Sequence, residues 1–196
     1  MRLVSIFASG ALVASCGGGG AGSSSASPGS ATFSGTVRGN SLTPHDATAA
    51  VVSFSANGVP GKAAVIAITS ATGLCSRLAS GKEPKSTQYL LLTPFKIQPD
   101  FSAIPPPAPG VYSVGALTIE NGVAVFSATD AVCKASPAST VRAASGQITL
   151  TAVGSRYTGS YQLTFDFGDT ISGTFDAPVC AGVDALQAGQ GTLTCE

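Results

Sequence analysis

Residues 157–167 read YTGSYQLTFDF, and their alternation decides the fold class. Tyr157, Tyr161, Leu163, Phe165 and Phe167 place apolar side chains on one side, and Thr158, Ser160, Gln162, Thr164 and Asp166 place polar ones on the other. Successive side chains of an extended chain point to opposite faces, so a period of two marks a half-buried β-strand. Working outward, Ile148, Leu150 and Ala152 repeat the pattern on the N-terminal side, and Ile171, Phe175 and Ala177 repeat it on the C-terminal side.

Turn chemistry sets the expected registers. A two-residue Gly154-Ser155 loop of type II′ places Ala152 opposite Tyr157 and Ile148 opposite Tyr161. A three-residue loop, Gly168 to Thr170, pairs Phe165 with Gly173 and Leu163 with Phe175, keeping both apolar faces together. Asn121-Gly122 is a type I′ signal that pairs Ile119 with Ala124 and Leu117 with Phe126. Further strands are expected at 31–38, 48–56, 62–69, 87–97, 110–114 and 191–195, with one short helix at 74–80. The proline-rich Ile104 to Pro109 cannot donate ladder hydrogen bonds and is expected as a surface loop. Nine or ten short strands with frequent turns predict an all-β domain, an antiparallel sandwich or barrel.

Composition narrows the function classes. The 196 residues carry ten basic and ten acidic side chains, a net charge of zero and only 10% charged residues, with 24 glycines and no tryptophan. An ordinary soluble domain is about a quarter charged. A neutral, charge-poor chain lacks the basic footprint of a nucleic-acid partner.

The N-terminus is a separate unit. Arg2 precedes an uncharged apolar run from Leu3 to Ser15, which is shorter than the roughly 20 residues of a membrane span and suits a signal peptide. The run closes on Val13, Ala14, Ser15 and Cys16. This order of charge, apolar run, small residues and cysteine resembles the lipobox of bacterial lipoproteins. The resemblance implies cleavage before Cys16 and a diacylglycerol on its thiol, making Cys16 the site of lipidation. Residues 17–30 contain only Gly, Ala, Ser and Pro, and with nothing apolar to bury they read as a flexible tether with a span of about 20 Å. The division is therefore a signal peptide at 1–15, a lipidated Cys16 and tether through 30, and one β-domain at 31–196. In enteric-type sorting an Asp after the lipidated cysteine goes with inner-membrane retention. Gly17 stands there, which points to the outer membrane of a bacterial cell envelope.

Without Cys16, four cysteines remain: Cys75, Cys133, Cys180 and Cys195. An even count in an exported domain predicts two disulfides with three possible connectivities. The preferred pairing is Cys75 with Cys133 and Cys180 with Cys195, the latter closing a short loop at the C-terminus. No C-x-x-C spacing is present and there is one histidine, so neither a metal nor another cofactor is expected.

Candidates for chemistry are few. His45, the lone histidine, stands beside Asp46 in a proline-containing turn, without a G-x-S-x-G motif to supply a nucleophile. Asp166, Asp169 and Asp176 are the nearest thing to a carboxylate cluster. The expected register separates Asp166 from Asp176 by four strand positions, about 13 Å, which is too far for a glycosidase pair. Asp169 reads as a turn residue. Arg77, Lys82 and Lys85 form a local positive patch around Glu83 that reads as a solvated loop, with contact to an anionic headgroup or a polysaccharide as the alternative.

The strand pattern and the segment GTFDAPVC at 173–180 resemble uncharacterised predicted lipoproteins of environmental bacteria, a resemblance that implies an address and no activity. The expected function is a lipid-anchored envelope β-domain with a structural, adhesive or partner-binding role, touching the membrane through Cys16 and a protein or glycan partner. The alternatives are a β-barrel carrier of a small lipophilic ligand and an exported hydrolase. A carrier requires an apolar cavity, and a hydrolase requires His45 within reach of a serine and a carboxylate.

Overall fold

Alternation does build the sheet, and it does so on both sides of residues 157–167. In the computed structural model, which describes residues 27–56, 58–98, 104–116, 118–180 and 194–196, the chain forms twelve strands and one helix. They are β1 (Ser30–Ala31), β2 (Ser34–Gly35), β3 (Asp46–Ala56), β4 (Val59–Thr69), α1 (Leu74–Ala79), β5 (Lys82–Glu83) and β6 (Gln88–Lys96). There follow β7 (Gly110–Val114), β8 (Glu120–Thr129), β9 (Ala135–Ala152), β10 (Arg156–Phe165), β11 (Thr170–Pro178) and β12 (Thr194–Cys195). The signal peptide, Cys16 and the tether before Ser27 lie outside the described residues, as does 191–193 of the expected last strand.

The main sheet runs β1-β11-β10-β9-β7-β8-β6-β4-β3, with β2 also on β11. It then nearly meets itself. Ala49 of β3 bridges Val179 just after β11, and the Cys180 N–H donates to the Ala49 carbonyl at 2.7 Å. The result is a nearly closed barrel, one of the two architectures the strand pattern allows. It is mixed, because β7 runs parallel to β8 over Ser113 and Val114. β12 pairs in parallel with β5 as a separate two-stranded patch.

The inward faces form one contiguous core. Ala47 and Ala49, Ile66 and Ile68, Leu90 and Leu92, Ala124 and Phe126, Ile148 and Leu150 all belong to it, with Tyr112, Leu163, Phe165, Ile171 and Phe175. Interior side chains fill the barrel, as expected for a small barrel whose alternate residues point to its axis. A second, smaller cluster of Ala50, Val52 and Ala63, with Phe54, Val65 and Phe95 against it, lies on the opposite face of β3 and β4.

Glycine enters the strands where an aromatic ring needs its space. Gly159 lies directly opposite Phe175, Gly173 opposite Tyr161, and Gly61 opposite Phe54. A Cβ on Gly159 would come within 1.9 Å of the Thr149 carbonyl oxygen and 2.8 Å of the Phe175 ring, and one on Gly173 within 2.0 Å of the Thr32 carbonyl oxygen and 2.5 Å of the Tyr161 oxygen. Each ring lies over the bare backbone across the ladder, a pairing that rescues an otherwise weak strand position. The Tyr161 hydroxyl then donates to the Thr32 carbonyl at 2.8 Å, fastening the N-terminal segment to the barrel.

Several registers differ from expectation, for physical reasons. Ile148 does face Tyr161, but a bulge between Thr158 and Gly159 puts Ala152 opposite Thr158, so five residues, 153–157, lie between that pair, the last two already in β10. The β10–β11 loop has the expected length but sits at Asp166 to Gly168, with Leu163 opposite Ile171 and Gly159 opposite Phe175. Gly168 at φ 80° supplies the left-handed residue that closes such a loop. Phe167 is therefore at the hairpin tip and 66% exposed, with the Arg38 guanidinium 4.5 Å above its ring.

Asn121-Gly122 is not a turn. Both residues lie within β8, opposite Phe95 and Pro94 of β6, and the Asn121 side chain bonds the Thr118 backbone. Gly122 serves packing instead, since a Cβ there would meet Ile148 at 3.0 Å and Val114 at 3.1 Å. Leu117 lies outside the described residues. The expected strand at 31–38 is broken into β1 and β2. Ile104 of the proline-rich segment is more than surface loop: it bridges Gly61, and Tyr112 fastens the segment through both backbone groups of Ala108.

Two disulfides form among the four expected cysteines, with the other connectivity. Cys75 pairs with Cys180 and Cys133 with Cys195, at Cα separations of 5.5 and 5.6 Å. Sheet topology overrides loop length here. Closure of the barrel brings Cys180 beside β3 and α1, while the β12–β5 pairing carries Cys195 to the β8–β9 turn that holds Cys133. Sequence separations of 105 and 62 give about 4 to 5 kcal/mol each in the chain-entropy model.

Peptide mapping of the non-reduced protein will recover Cys75–Cys180 and Cys133–Cys195 linked fragments; a Cys180–Cys195 fragment contradicts this topology. Gly159→Val will lower the urea-unfolding stability by about 1–3 kcal/mol through overpacking against the Thr149 backbone carbonyl and the Phe175 ring, and an unchanged midpoint contradicts this close approach.

Candidate functional site

A cleft opens where β3 starts and β4 ends. Its walls are His45, the Ser70 to Thr72 turn, Arg77 of α1, the Pro84 to Thr87 connection and Glu196, and it encloses about 380 Å³ open to solvent. The β3–β4 ladder creates it by setting Asp46 opposite Thr69. The His45 N–H donates to the Thr69 carbonyl at 2.8 Å, so the histidine is held at the rim by its backbone.

Asp46 faces the other way. Its carboxylate is buried and accepts the N–H groups of Ala47 and Leu74, each at 2.8 Å. It thereby satisfies one of the free N–H groups at the start of α1, where the residue before the helix, Gly73, offers no side chain to do so. Because that carboxylate is committed to backbone, it is not placed to orient the imidazole of His45.

The remaining walls are fixed by local hydrogen bonds. Ser70 accepts the Gln88 N–H through its hydroxyl, Thr87 donates to the Lys85 carbonyl, and Lys85 N–H donates to the Glu196 carbonyl. Arg77 donates through Nε to the Thr72 carbonyl at 3.2 Å, which leaves its terminal nitrogens to the cleft. Of the expected basic patch, Lys82 is paired with Glu196 at 2.8 Å, whereas Arg77 and Lys85 join no ion pair among the described residues. Glu83 lies outside the lining, its carboxyl pushed up by burial. Nearby Tyr89 is pushed up to about 12 by burial and by the Glu83 charge, against the pull of the Thr87 hydrogen bond and Arg77.

The three candidate aspartates do not meet. Asp169 accepts the Arg38 N–H at 2.7 Å, Asp176 pairs with Arg156 at 2.6 Å, and Asp166 sits in the exposed hairpin loop. Asp176 is opposite Thr158, so Asp166 and Asp176 stand at opposite ends of β10, eight positions or about 26 Å apart. That is further than the sequence register implied and far beyond a glycosidase pair. Among the described residues no three His, Cys, Asp or Glu side chains gather as metal ligands, and no helix is long and apolar enough to cross a membrane.

The cleft's hydroxyls, Ser70, Thr72, Ser86 and Thr87, escape a motif search because they come from two separate connections, on either side of α1 and β5, with no fixed spacing to recognise. The β3–β4 ladder, paired from Ala56 opposite Val59 to Asp46 opposite Thr69, is what brings His45 to Thr69. A second depression, of about 350 Å³, lies on the outer face of β9, β10 and β11, where Gln147, Thr149, Ser160, Gln162, Ser172 and Thr174 present only amides and hydroxyls. No protein-family model, curated protein or solved structure matches this chain.

All four tyrosines carry phenols pushed above the ordinary value near 10, with burial the largest cause at each. Above that pH the unfolded chain releases phenol protons that the folded chain retains, so stability is complete below about pH 10 and falls as pH rises through the raised values. Spectrophotometric titration of the folded protein will show tyrosinate appearing only above pH 10, together with loss of structure. Two or more phenols ionising reversibly at the ordinary value contradict the packing.

Proposed function

We propose that this chain is a lipid-anchored module of the bacterial cell envelope, with a structural, adhesive or partner-binding role. The observation that carries the reading is the way the chain joins anchor to domain. A lipobox-like order ends at Cys16, a Gly/Ser tether follows, and its far end is clamped onto the barrel. Arg156, paired with Asp176, donates to the Ser27 carbonyl at 3.0 Å, so the domain engages its tether four residues before Ala31. The clamp fixes where the anchor pulls on the domain.

Other features favour a binding module over the alternatives. The barrel interior is occupied by Tyr112, Phe165, Ile148, Leu150 and Leu163, each at most 2% exposed, so a lipophilic cargo has no room among the described residues. The two depressions are open, polar and on the surface, which suits contact with a partner. A hydrolase would need a carboxylate to orient His45, and Asp46 is engaged elsewhere. Disulfides at Cys75, Cys133, Cys180 and Cys195 suit an oxidising compartment outside the cytoplasm.

In a bacterial host, labelled fatty acid will be incorporated into the protein, which will partition into the detergent phase on cloud-point extraction. Cys16→Ser will abolish the labelling. Labelling that persists in the Cys16→Ser chain, or a wild-type protein that takes none, overturns the anchored reading.

A further inference from the structure

We propose that the cleft between His45, Arg77 and Lys85 binds the phosphate of an anionic membrane headgroup beside the root of the tether. The inference rests on the anchored reading for its setting, while its chemistry stands on the cleft itself. Arg77 spends Nε on the Thr72 carbonyl and keeps its terminal nitrogens, which suit bidentate contact with a phosphate. Lys85 keeps a whole ammonium group, and the hydroxyls of Thr72 and Ser86 have no protein partner among the described residues. Glu196 also lines the cleft, with its side-chain carboxylate paired to Lys82 and its backbone oxygen accepting the Lys85 N–H. An oxyanion there meets the terminal nitrogens of Arg77, the Lys85 ammonium and two hydroxyls in one cleft.

Location selects the source of that oxyanion. Ser27 is held by Arg156, and Gly29 passes so close to β3 that a Cβ on it would lie 1.8 Å from the Ala47 carbonyl. Ala47 is two residues from His45, about 7 Å along the strand. The disulfide from Cys75 on α1 to Cys180 ties the helix that carries Arg77 to the same seam. Tether root and cationic cleft thus share one corner of the barrel. From Cys16 to Ser27 the tether spans roughly 20 Å, which keeps the cleft within reach of the bilayer and raises the local concentration of headgroups. A weak individual contact is then sufficient to orient the domain on its membrane.

The test uses the chain from Gly17 onward, secreted without its anchor. Every hydrogen bond and ion pair among the described residues lies between Ser27 and Glu196, so this chain keeps them all. Sedimentation with phosphatidylglycerol-rich vesicles at low salt will retain it, and pure phosphatidylcholine vesicles will not. An Arg77→Gln, Lys85→Gln double variant, with an unchanged melting temperature, will lose about 25-fold in partitioning, roughly fivefold for each cation. Lys62→Gln, at the far end of β4, will partition like the wild type. Equal retention on both vesicles, or no loss in the double variant, overturns the proposal. Inorganic phosphate that shifts the Arg77 and His45 resonances without retention on vesicles overturns the membrane source and leaves a free-anion site. Because this chain lacks Cys16, these outcomes are independent of the fatty-acid labelling that tests the anchor.

Discussion

The fold depends on one seam. The ladder order from β1 to β3 would describe an open sheet, and an open sheet leaves edge strands ready to pair with another chain. Here the two ends are drawn together by the Ala49–Val179 bridge, the Cys180 amide on the Ala49 carbonyl and the close approach of Gly29 to Ala47. The Cys75–Cys180 disulfide then locks the closure covalently through α1. The tether clamp lies at this seam and the cleft opens beside it, where the β3–β4 ladder sets Asp46 opposite Thr69.

Low charge also finds an explanation in this sheet. The domain covers its outer faces with hydroxyls and amides that often satisfy one another across strands. Thr32 meets Thr174 at 2.9 Å, Thr151 meets Thr158 at 2.8 Å, and Ser127 meets Thr140 at 3.1 Å. Such pairs stabilise the ladder modestly and need no charge. The glycine content has a related origin, since Gly61, Gly159 and Gly173 make room for aromatic rings opposite them. Some of the charge is paired: Lys82 on Glu196, Lys96 on Glu120, Arg156 on Asp176, Arg38 over Phe167. Arg77 and Lys85, like Lys62, Lys134 and Arg142, join no ion pair among the described residues, but these two share a cleft.

Much of the fold was legible because period-two patterning is strong. The β7 strand at 110–114 and the helix beginning at Leu74 fall where the sequence places them, and the inward faces of β9, β10 and β11 are the ones expected except at Ala152 and Phe167, which are exposed. What failed depended on information that local sequence does not contain. Asn121-Gly122 carries a turn signal, yet its glycine answers a packing demand from Ile148, a residue that sequence alone does not place beside it. The N-terminal half of β9, residues 135–145, reads ASPASTVRAAS, where only Val141 and Ala143 face the core, so the alternation is too short and too weakly apolar to see. The Cys75–Cys180 pairing hinges on closure, which brings together residues 105 positions apart, and Cys133–Cys195 hinges on the β12–β5 pairing; neither is local in sequence.

Native-state hydrogen exchange of the Cys180 amide tests closure most directly. In a closed barrel this N–H, bonded to Ala49 at 2.7 Å, opens only when the whole domain unfolds. Its free energy of exchange will equal that of the Ile148 and Leu163 amides in the core strands. Exchange of Cys180 at the rate of an exposed loop, with those core amides still protected, would mean that the sheet is open and that the seam does not hold the structure together.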